Sequence, residues 1–208
     1  MNRIKIFMTS VVFVVLAAIT SCQPQTHDSQ RTNANTTIDV IHQRTSVRMY
    51  RDRPVSREQL ETLVRAGMAA PSAMNKQPWQ FIVIDDKEIL QALGKNIRTS
   101  QMVPGAAAAI LVCGDMQLAG EGWLQEYWIQ DCSAASQNIL LAITEMGLGG
   151  VWTSIYPAPE RIKIVREVLN LPEHIIPLNI IPIGYPDGPQ VPKDKWDAGK
   201  VHWNTFNP

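Results

Sequence analysis

The chain has 208 residues, of which 45% are hydrophobic and 18% are charged, and its formal net charge is zero. This length fits one domain better than two, and the balance is that of an ordinary globular protein. The lack of a basic excess argues against nucleic-acid binding, although it leaves room for a small local cluster of positive charge.

The first 22 residues have the pattern of an export signal. Arg3 and Lys5 form a short basic start, and residues 6–19 are almost entirely apolar. This apolar run is too short for a comfortable membrane span and favours a signal peptide. The segment Ile19-Thr20-Ser21-Cys22 resembles the lipobox of bacterial lipoproteins, which implies cleavage before Cys22 and its lipidation. A secretory signal cleaved nearby is the alternative.

Both interpretations predict export, and the lipobox predicts a lipoprotein anchored on the periplasmic side or at the cell surface through its N-terminal lipid alone. Residues 23–37 are polar and have no periodic spacing of apolar residues, so we expect a disordered tether. The folded domain is predicted to span residues 38–208.

Two cysteines remain if Cys22 carries lipid. Export permits a disulfide between Cys113 and Cys132. However, Cys113 ends an apolar run and Cys132 lies in a helical pattern, so the sequence favours two buried thiols. There is no CxxC, HExxH or Cys/His cluster, and we therefore expect no metal site.

The elements follow in chain order. Residues 38–44 indicate a short helix. The next helix opens with a capping box of Ser56 and Gln59 and should end before Pro71. Its predicted apolar face carries Leu60, Leu63, Val64 and Met68. Further helices are expected at residues 85–93, 124–146 and 160–169, and strands at residues 80–84, 106–113, 151–155 and 180–184.

The second half of the long helix, residues 139–143, is apolar all round, so it must be covered on every side. A partner subunit would do this; burial inside one monomer is the alternative. The tail at residues 186–208 has little helix or strand signal and must lie on its own domain or on a partner. Helices and strands do not alternate strictly, which indicates an α+β fold with a mixed sheet.

Two basic segments suit a phosphate ester. Residues 44–48, Arg-Thr-Ser-Val-Arg, place two guanidinium groups four residues apart with hydroxyls between them. Lys193 and Lys195 lie two apart in an extended segment, so they can point to one side and reach the same phosphate. For both segments, solvated surface charge is the alternative interpretation.

A third segment suits the uracil-like edge of a flavin. The loop at residues 70–79 is held by proline at both ends and presents Ser72, Asn75 and Gln77. Their uncharged donors and acceptors can match the carbonyl and N–H groups of that edge. An ordinary polar connecting loop is the alternative.

Four segments, in order and spacing, resemble the FMN-dependent nitroreductase family: RTSVRMY, APSAMNKQPWQFIVI, DCSAASQNILLAITEMGLGGVW and GYPDGPQVPKDKW. The resemblance covers about residues 38–204. It implies a mixed, mostly antiparallel sheet flanked by helices, in an intertwined homodimer with FMN in two clefts between the subunits. Gly149-Gly150 is not a dinucleotide fingerprint, because no GxGxxG precedes a helix.

The resemblance also implies site residues. The two basic segments would hold the phosphate, Ser72 and Asn75 would come from the partner subunit, and backbone N–H groups near Thr153 and Ser154 would lie by the flavin N5. Lys195 stands where many relatives have arginine, so it keeps the charge but loses the forked donors. The full set of expected cofactor-binding residues is Arg44, Thr45, Ser46, Arg48, Ser72, Asn75, Gln77, Thr153, Ser154, Lys193 and Lys195.

The implied activity is hydride transfer from NAD(P)H through FMN to a nitroaromatic, a quinone or a similar small acceptor, with no side-chain acid or base required. Trp123, Tyr127 and Trp128 could cap the cleft or simply pack in the core. A dehalogenase-like enzyme is one alternative, although only residues 114–123 occupy the place where such relatives carry a lid. A non-enzymatic flavin- or ligand-binding lipoprotein is another, because nicotinamides are scarce outside the cytoplasm.

Overall fold

The computed structural model describes residues 36–206. The chain divides into two units, Met1–Ala34 and Asn35–Pro208, and the described residues belong to the second. The predicted signal peptide, the predicted lipid site at Cys22 and nearly all of the predicted tether therefore lie outside the described residues.

The described part of the chain contains five α-helices, and the first three begin with a side-chain cap. The five helices are α1 (Thr37–Gln43), α2 (Arg57–Met68), α3 (Lys87–Asn96), α4 (Trp128–Glu145) and α5 (Pro159–Leu169). At α2 the Gln59 N–H donates to Ser56 Oγ at 3.2 Å, and the Ser56 N–H donates to Gln59 Oε1 at 3.0 Å. The predicted capping box is therefore present. Met68 departs from the prediction for this helix, because its side chain is exposed.

One sheet forms the centre of the domain. Its strands are β1 (Trp79–Ile84), β2 (Ala108–Asp115), β3 (Gly149–Gly150), β4 (Thr153–Ser154) and β5 (Ile175–Gly184). The order is β1-β2-β5-β3, and β4 also pairs with β5. All of these strand pairs are antiparallel, while Ser46 forms an isolated parallel bridge with Gly150. The α+β class is thus confirmed.

Strand β2 is buried along its whole length because helices cover both faces of the sheet. Alternate side chains point to opposite faces. Ile110 and Val112 pack with the apolar residues of α2 and α4. Leu111 and Cys113 pack with those of α3 and α5. A strand buried on both faces explains the continuous apolar run at this point in the sequence.

Three boundaries differ from the sequence-based expectation. Strand β5 begins at Ile175, five residues earlier than expected, and includes Pro177. Pro177 pairs with Cys113 of β2, and the register between β2 and β5 shifts between Val112 and Cys113. Such an irregularity accommodates a proline, which cannot donate to the ladder. Of the predicted strand at residues 151–155, only Thr153–Ser154 form a strand, β4, while β3 lies just before the predicted range. The long helix begins only at Trp128, after a 3₁₀ helix at Gly122–Tyr127.

Cys113 and Cys132 are buried free thiols, as predicted. Burial raises the pKa of the Cys113 thiol to about 12. No helix within residues 36–206 is both long enough and apolar enough to span a membrane. The same residues bring together no group of three or more potential metal ligands.

Candidate functional site

The basic segment at residues 44–48 is docked on the sheet by its one apolar member. Val47 is only 4% exposed, and its N–H donates to the Gly150 carbonyl at 3.0 Å. Gly149 makes this approach possible, since a Cβ at that position would lie 2.7 Å from Val47 Cγ1. The buried valine therefore fixes its polar neighbours Ser46 and Arg48 at the edge of the sheet.

These neighbours line a cavity of about 810 Å³, a size within the roughly 300–1,000 Å³ of ligand sites. Three separate parts of the chain contribute: the region from α1 to residue 48, one residue of α4, and the C-terminal tail. The lining residues are Ile41, His42, Arg44, Thr45, Ser46, Arg48, Gln137, Lys193, Asp194, Lys195 and Trp196. The two basic pairs found in the sequence thus meet in one cavity of a single chain.

Positive charge dominates this cavity. Arg44, Arg48, Lys193 and Lys195 face one carboxylate, that of Asp194. None of these four cations takes part in the salt bridges of residues 36–206. Uncompensated cations in a concave site attract an anion, and guanidinium groups suit phosphate oxygens in particular.

Two further polar side chains in the cavity were not singled out from the sequence. Gln137 belongs to α4, where it lies between Ser136 and Asn138. His42 lies in the last turn of α1. Neither residue forms a recognisable motif with the polar residues of its helix, so sequence reasoning did not single it out.

The loop at residues 71–77 has an internally bonded, strained backbone. Met74, Asn75 and Gln77 have φ of 49°, 55° and 50°, in the left-handed region that non-glycine residues seldom adopt. The Gln77 N–H donates to Ser72 Oγ at 3.0 Å, and Gln77 Nε2 donates to Asn75 Oδ1 at 2.8 Å. The Ser72 hydroxyl proton and the Asn75 Nδ2 group keep their capacity to donate to a ligand.

In one chain, this loop lies apart from the basic cavity. Ser72 lines a shallower concavity of about 410 Å³ together with Tyr127, Gln130 and Asp131 of the α4 region. Asp131, another residue that the sequence did not single out, is buried, and its Oδ1 accepts from the Ala73 N–H at 2.9 Å. In one chain, the structure therefore separates the predicted residues of this loop from those of the two basic segments.

Thr153 and Ser154 form β4, opposite Ile180 and Asn179 of β5. The Thr153 side chain is buried, and its Oγ1 donates to the Ile180 carbonyl at 2.7 Å. Ser154 is exposed, and its Oγ accepts from Trp152 Nε1 at 2.9 Å. A contact from Thr153 to a ligand would therefore come from its backbone.

The three aromatic residues before and at the start of α4 have different environments. Trp123 is 72% exposed, with its ring 5.9 Å from that of Tyr127. Trp128 is buried, meets the ring of Tyr156 edge-on at 5.0 Å and packs on Gly114. Trp128 is therefore a core residue, so of the two interpretations drawn from the sequence, core packing is correct for this member of the three.

The family model described as Nitroreductase family matches the chain over residues 41–130 and 98–185. A relative from Archaeoglobus fulgidus with the provisional name NADH dehydrogenase/NAD(P)H nitroreductase is 43% identical, over 82% of this chain and 93% of its own. A solved structure from Parabacteroides distasonis with the same provisional name is 46% identical, with a TM-score of 0.78, and the match covers 82% of this chain and 98% of that one.

A third match is the solved FMN-dependent nitroreductase of Clostridium difficile R20291. It is 31% identical, with a TM-score of 0.75, over 81% of this chain and 99% of that chain. These matches span nearly the whole length of the relatives, so the similarity extends to the entire domain.

Proposed function

Because this chain belongs to the nitroreductase family, we propose that it reduces small electron-poor acceptors, such as nitroaromatics and quinones, as an FMN-dependent NAD(P)H oxidoreductase. When bound, FMN would supply the redox chemistry, which is hydride transfer between a nicotinamide and the acceptor. The protein's own residues bind and orient the partners and set the electrostatics around them.

The observation that carries this proposal is the cavity with four unpaired cations. A phosphomonoester near pH 7 has a charge of roughly −1.5 to −2, and such a group neutralises clustered positive charge. Arg44 and Arg48 offer forked donors, Ser46 adds a hydroxyl, and the two lysines add point charges from the tail. This donor set fits the phosphate of FMN.

The loop at residues 71–77 would bind the flavin edge. We propose that Ser72 donates its hydroxyl proton and Asn75 its amide N–H to flavin carbonyl oxygens, with Gln77 fixing the Asn75 amide through the 2.8 Å bond. The orientation follows from the bonds inside the loop, which use Ser72 Oγ and Asn75 Oδ1 as acceptors. Backbone N–H groups near Thr153 and Ser154 would face the reacting end of the ring.

The two groups of residues would join in a homodimer. In one chain the loop and the basic cavity are separate concavities, so a second copy of the chain is needed to bring them to one ligand. The tail supports this arrangement, because Trp196, Trp203 and Phe206 are each at least 75% exposed. Aromatic side chains left uncovered by their own domain are typical of a subunit interface.

The decisive experiment starts from the purified protein and its visible spectrum. We expect bound FMN, and oxidation of NADH or NADPH that depends on added nitrofuran or quinone. The control is free FMN at the same concentration, and Arg48→Glu should lose both bound flavin and turnover. A colourless protein with no turnover above that of free flavin contradicts the proposal.

A second candidate function is a flavin- or ligand-binding lipoprotein without reductase activity. The lipobox-like segment before Cys22 favours it, since an exported protein meets little NAD(P)H. Tightly bound FMN with no NAD(P)H-dependent turnover would support this candidate over the first.

We also propose that the protein is exported and tethered by lipid at Cys22. Labelling of cells with radioactive palmitate should mark the wild type but not Cys22→Ala. An unlabelled wild type found in the exported fraction would indicate an ordinary cleaved signal instead, and an unlabelled wild type retained in the cytoplasm would contradict export altogether.

A further inference from the structure

Asp131 is a buried carboxylate in the first turn of α4, only 6% exposed. Burial of a carboxylate is costly unless it is hydrogen-bonded. Its Oδ1 accepts from the N–H of Ala73, which lies 58 positions earlier in the chain, at 2.9 Å. The carboxylate therefore joins the long helix to the loop at residues 71–77.

This loop requires an anchor. Three of its residues have left-handed backbones, and such conformations persist when the surrounding structure holds them. Its ends are tied by the backbone, through Ala70 N–H to the Gly67 carbonyl at 3.1 Å and Asp115 N–H to the Pro78 carbonyl at 2.7 Å. Within residues 36–206, the only hydrogen bond that reaches residues 71–77 from outside them is the one from Asp131.

We propose that Asp131 is the positioning residue of the flavin-binding loop, an inference that rests on the proposed function. By holding the Ala73 N–H, the carboxylate fixes the start of the 3₁₀ turn at Ala73–Asn75. That turn sets the directions of the Ser72 hydroxyl and the Asn75 amide. Asp131 thus acts on the cofactor through the loop and does not touch it.

The principal test compares Asp131→Ala with Asp131→Asn in the holoprotein. Alanine removes the acceptor, whereas asparagine keeps a carbonyl oxygen in the same place and removes the charge. We expect Asp131→Ala to raise the Kd of FMN about tenfold, as expected for a lost charge-assisted hydrogen bond. Asp131→Asn should stay within about threefold of wild type. Glu126→Ala, which removes an exposed carboxylate just before α4, is the matched control.

A second variant removes the same bond from the other side. Ser72 has φ −139° and ψ 154°, the extended conformation required before proline, and Ala73 opens a 3₁₀ turn. Proline at position 73 places its Cδ where the N–H pointed, so the Asp131 carboxylate must be absent; in the Asp131→Ala background, Ala73→Pro should be tolerated by the backbone while it deletes the N–H donor. We expect the double variant Asp131→Ala/Ala73→Pro to bind FMN as Asp131→Ala does, because the Ala73 N–H has already lost its acceptor.

The visible spectrum of the bound flavin separates positioning from simple destabilisation. A displaced loop should change the shape of the flavin bands in Asp131→Ala, with wild-type shape restored in Asp131→Asn. A lower Tm with unchanged Kd and spectrum overturns the inference, as does an equal loss in the alanine and asparagine variants. If Arg48→Ala loses FMN while Asp131→Ala keeps it, the inference fails and the proposed function stands; if the wild type binds no FMN, both fail.

Discussion

Arg48 and Val47 are neighbours in sequence, but one lines the basic cavity and the other is buried beneath it. The burial of Val47 fixes the backbone next to Arg48 without the help of a ligand. Arg48 Nη1 also donates to the Ser46 carbonyl at 3.2 Å. A preorganised cation loses little conformational entropy on binding, so its charge should contribute strongly to affinity for a phosphate.

Charge reversal tests this contribution. Arg48→Glu and Lys193→Glu should each weaken FMN binding by at least about 1.5–3 kcal/mol, the range for a lost charged hydrogen bond. Lys163→Glu is the control, because Lys163 lies on α5, outside the cavity. Quenching of flavin fluorescence measures the Kd. Equal affinity of the two cavity variants and the control would show that the cavity does not hold the phosphate.

Cys113 and Cys132 should not react with a thiol reagent in the folded protein at pH 8, because both are buried. The pKa of Cys113 is raised from 9.0 to about 12 in the folded state. The folded protein therefore binds more protons between these values, and its stability should be complete below pH 9 and fall as pH rises toward 12. Urea unfolding across pH 7–11 checks the fall, which should be smaller in Cys113→Ala. Stoichiometric labelling of the native protein would contradict the burial.

At the scale of elements, patterns of period and capping predicted most of the helices and strands. The capping box of α2 and the continuous apolar run of β2 were recognisable from local chemistry. Boundaries failed where tertiary packing overrides local preference. Pro177 hides the start of β5, because the proline is tolerated only through an irregularity in a neighbouring strand that the sequence does not reveal.

The same limit applies to the site. Arg44, Arg48, Lys193 and Lys195 could be proposed from the sequence, because each pair is local and shares one chemistry. Gln137 and Asp131 could not, because α4 carries several polar residues and its sequence does not distinguish these two from the others. Their importance depends on which distant segment packs against α4. The separation of the loop from the basic cavity likewise becomes visible only in three dimensions.

Gly149 of β3 allows the basic segment at residues 44–48 to pack closely against the sheet. In Gly149→Ala the new Cβ would meet Val47 Cγ1 at 2.7 Å and push residues 44–48 away from β3. We expect a loss of about 1–3 kcal/mol in the free energy of unfolding, the usual cost of overpacking, and weaker FMN binding. Gly105→Ala is the matched control, because a Cβ there would meet nothing within 4 Å. Urea denaturation and FMN titration of both variants measure the effects, and equal behaviour would contradict the proposed coupling.

At the scale of the whole domain, residues 36–206 leave apolar side chains uncovered. Besides the aromatic tail, a groove of about 540 Å³ runs between α2 and the edge strand β1; its apolar lining residues are Leu60, Val64, Met68 and Val83, and it is also lined by the charged Arg57, Glu61, Arg65 and Asp85. It contains none of the residues predicted to bind the cofactor. An edge strand beside an apolar groove is a surface that proteins normally cover, which agrees with the proposed homodimer.

Truncation after Lys195 tests the role of the tail in assembly. It keeps both lysines of the cavity but removes Trp196, Trp203 and Phe206, all strongly exposed in one chain. We expect wild-type dimers and truncated monomers in sedimentation equilibrium, because the interface loses its aromatic side chains. FMN binding should fall with the dimer. A truncated protein that remains dimeric would show that other surfaces hold the subunits together.

The cations of the basic cavity come from opposite ends of the domain, two arginines soon after α1 and two lysines beyond β5. During synthesis the two arginines are made well before the two lysines. A growing chain therefore cannot bind a phosphate with all four cations until Lys195 has been made. If the chain crosses a membrane unfolded, it must capture its flavin on the far side, and the supply of FMN in that compartment would then limit how much active protein a cell can make.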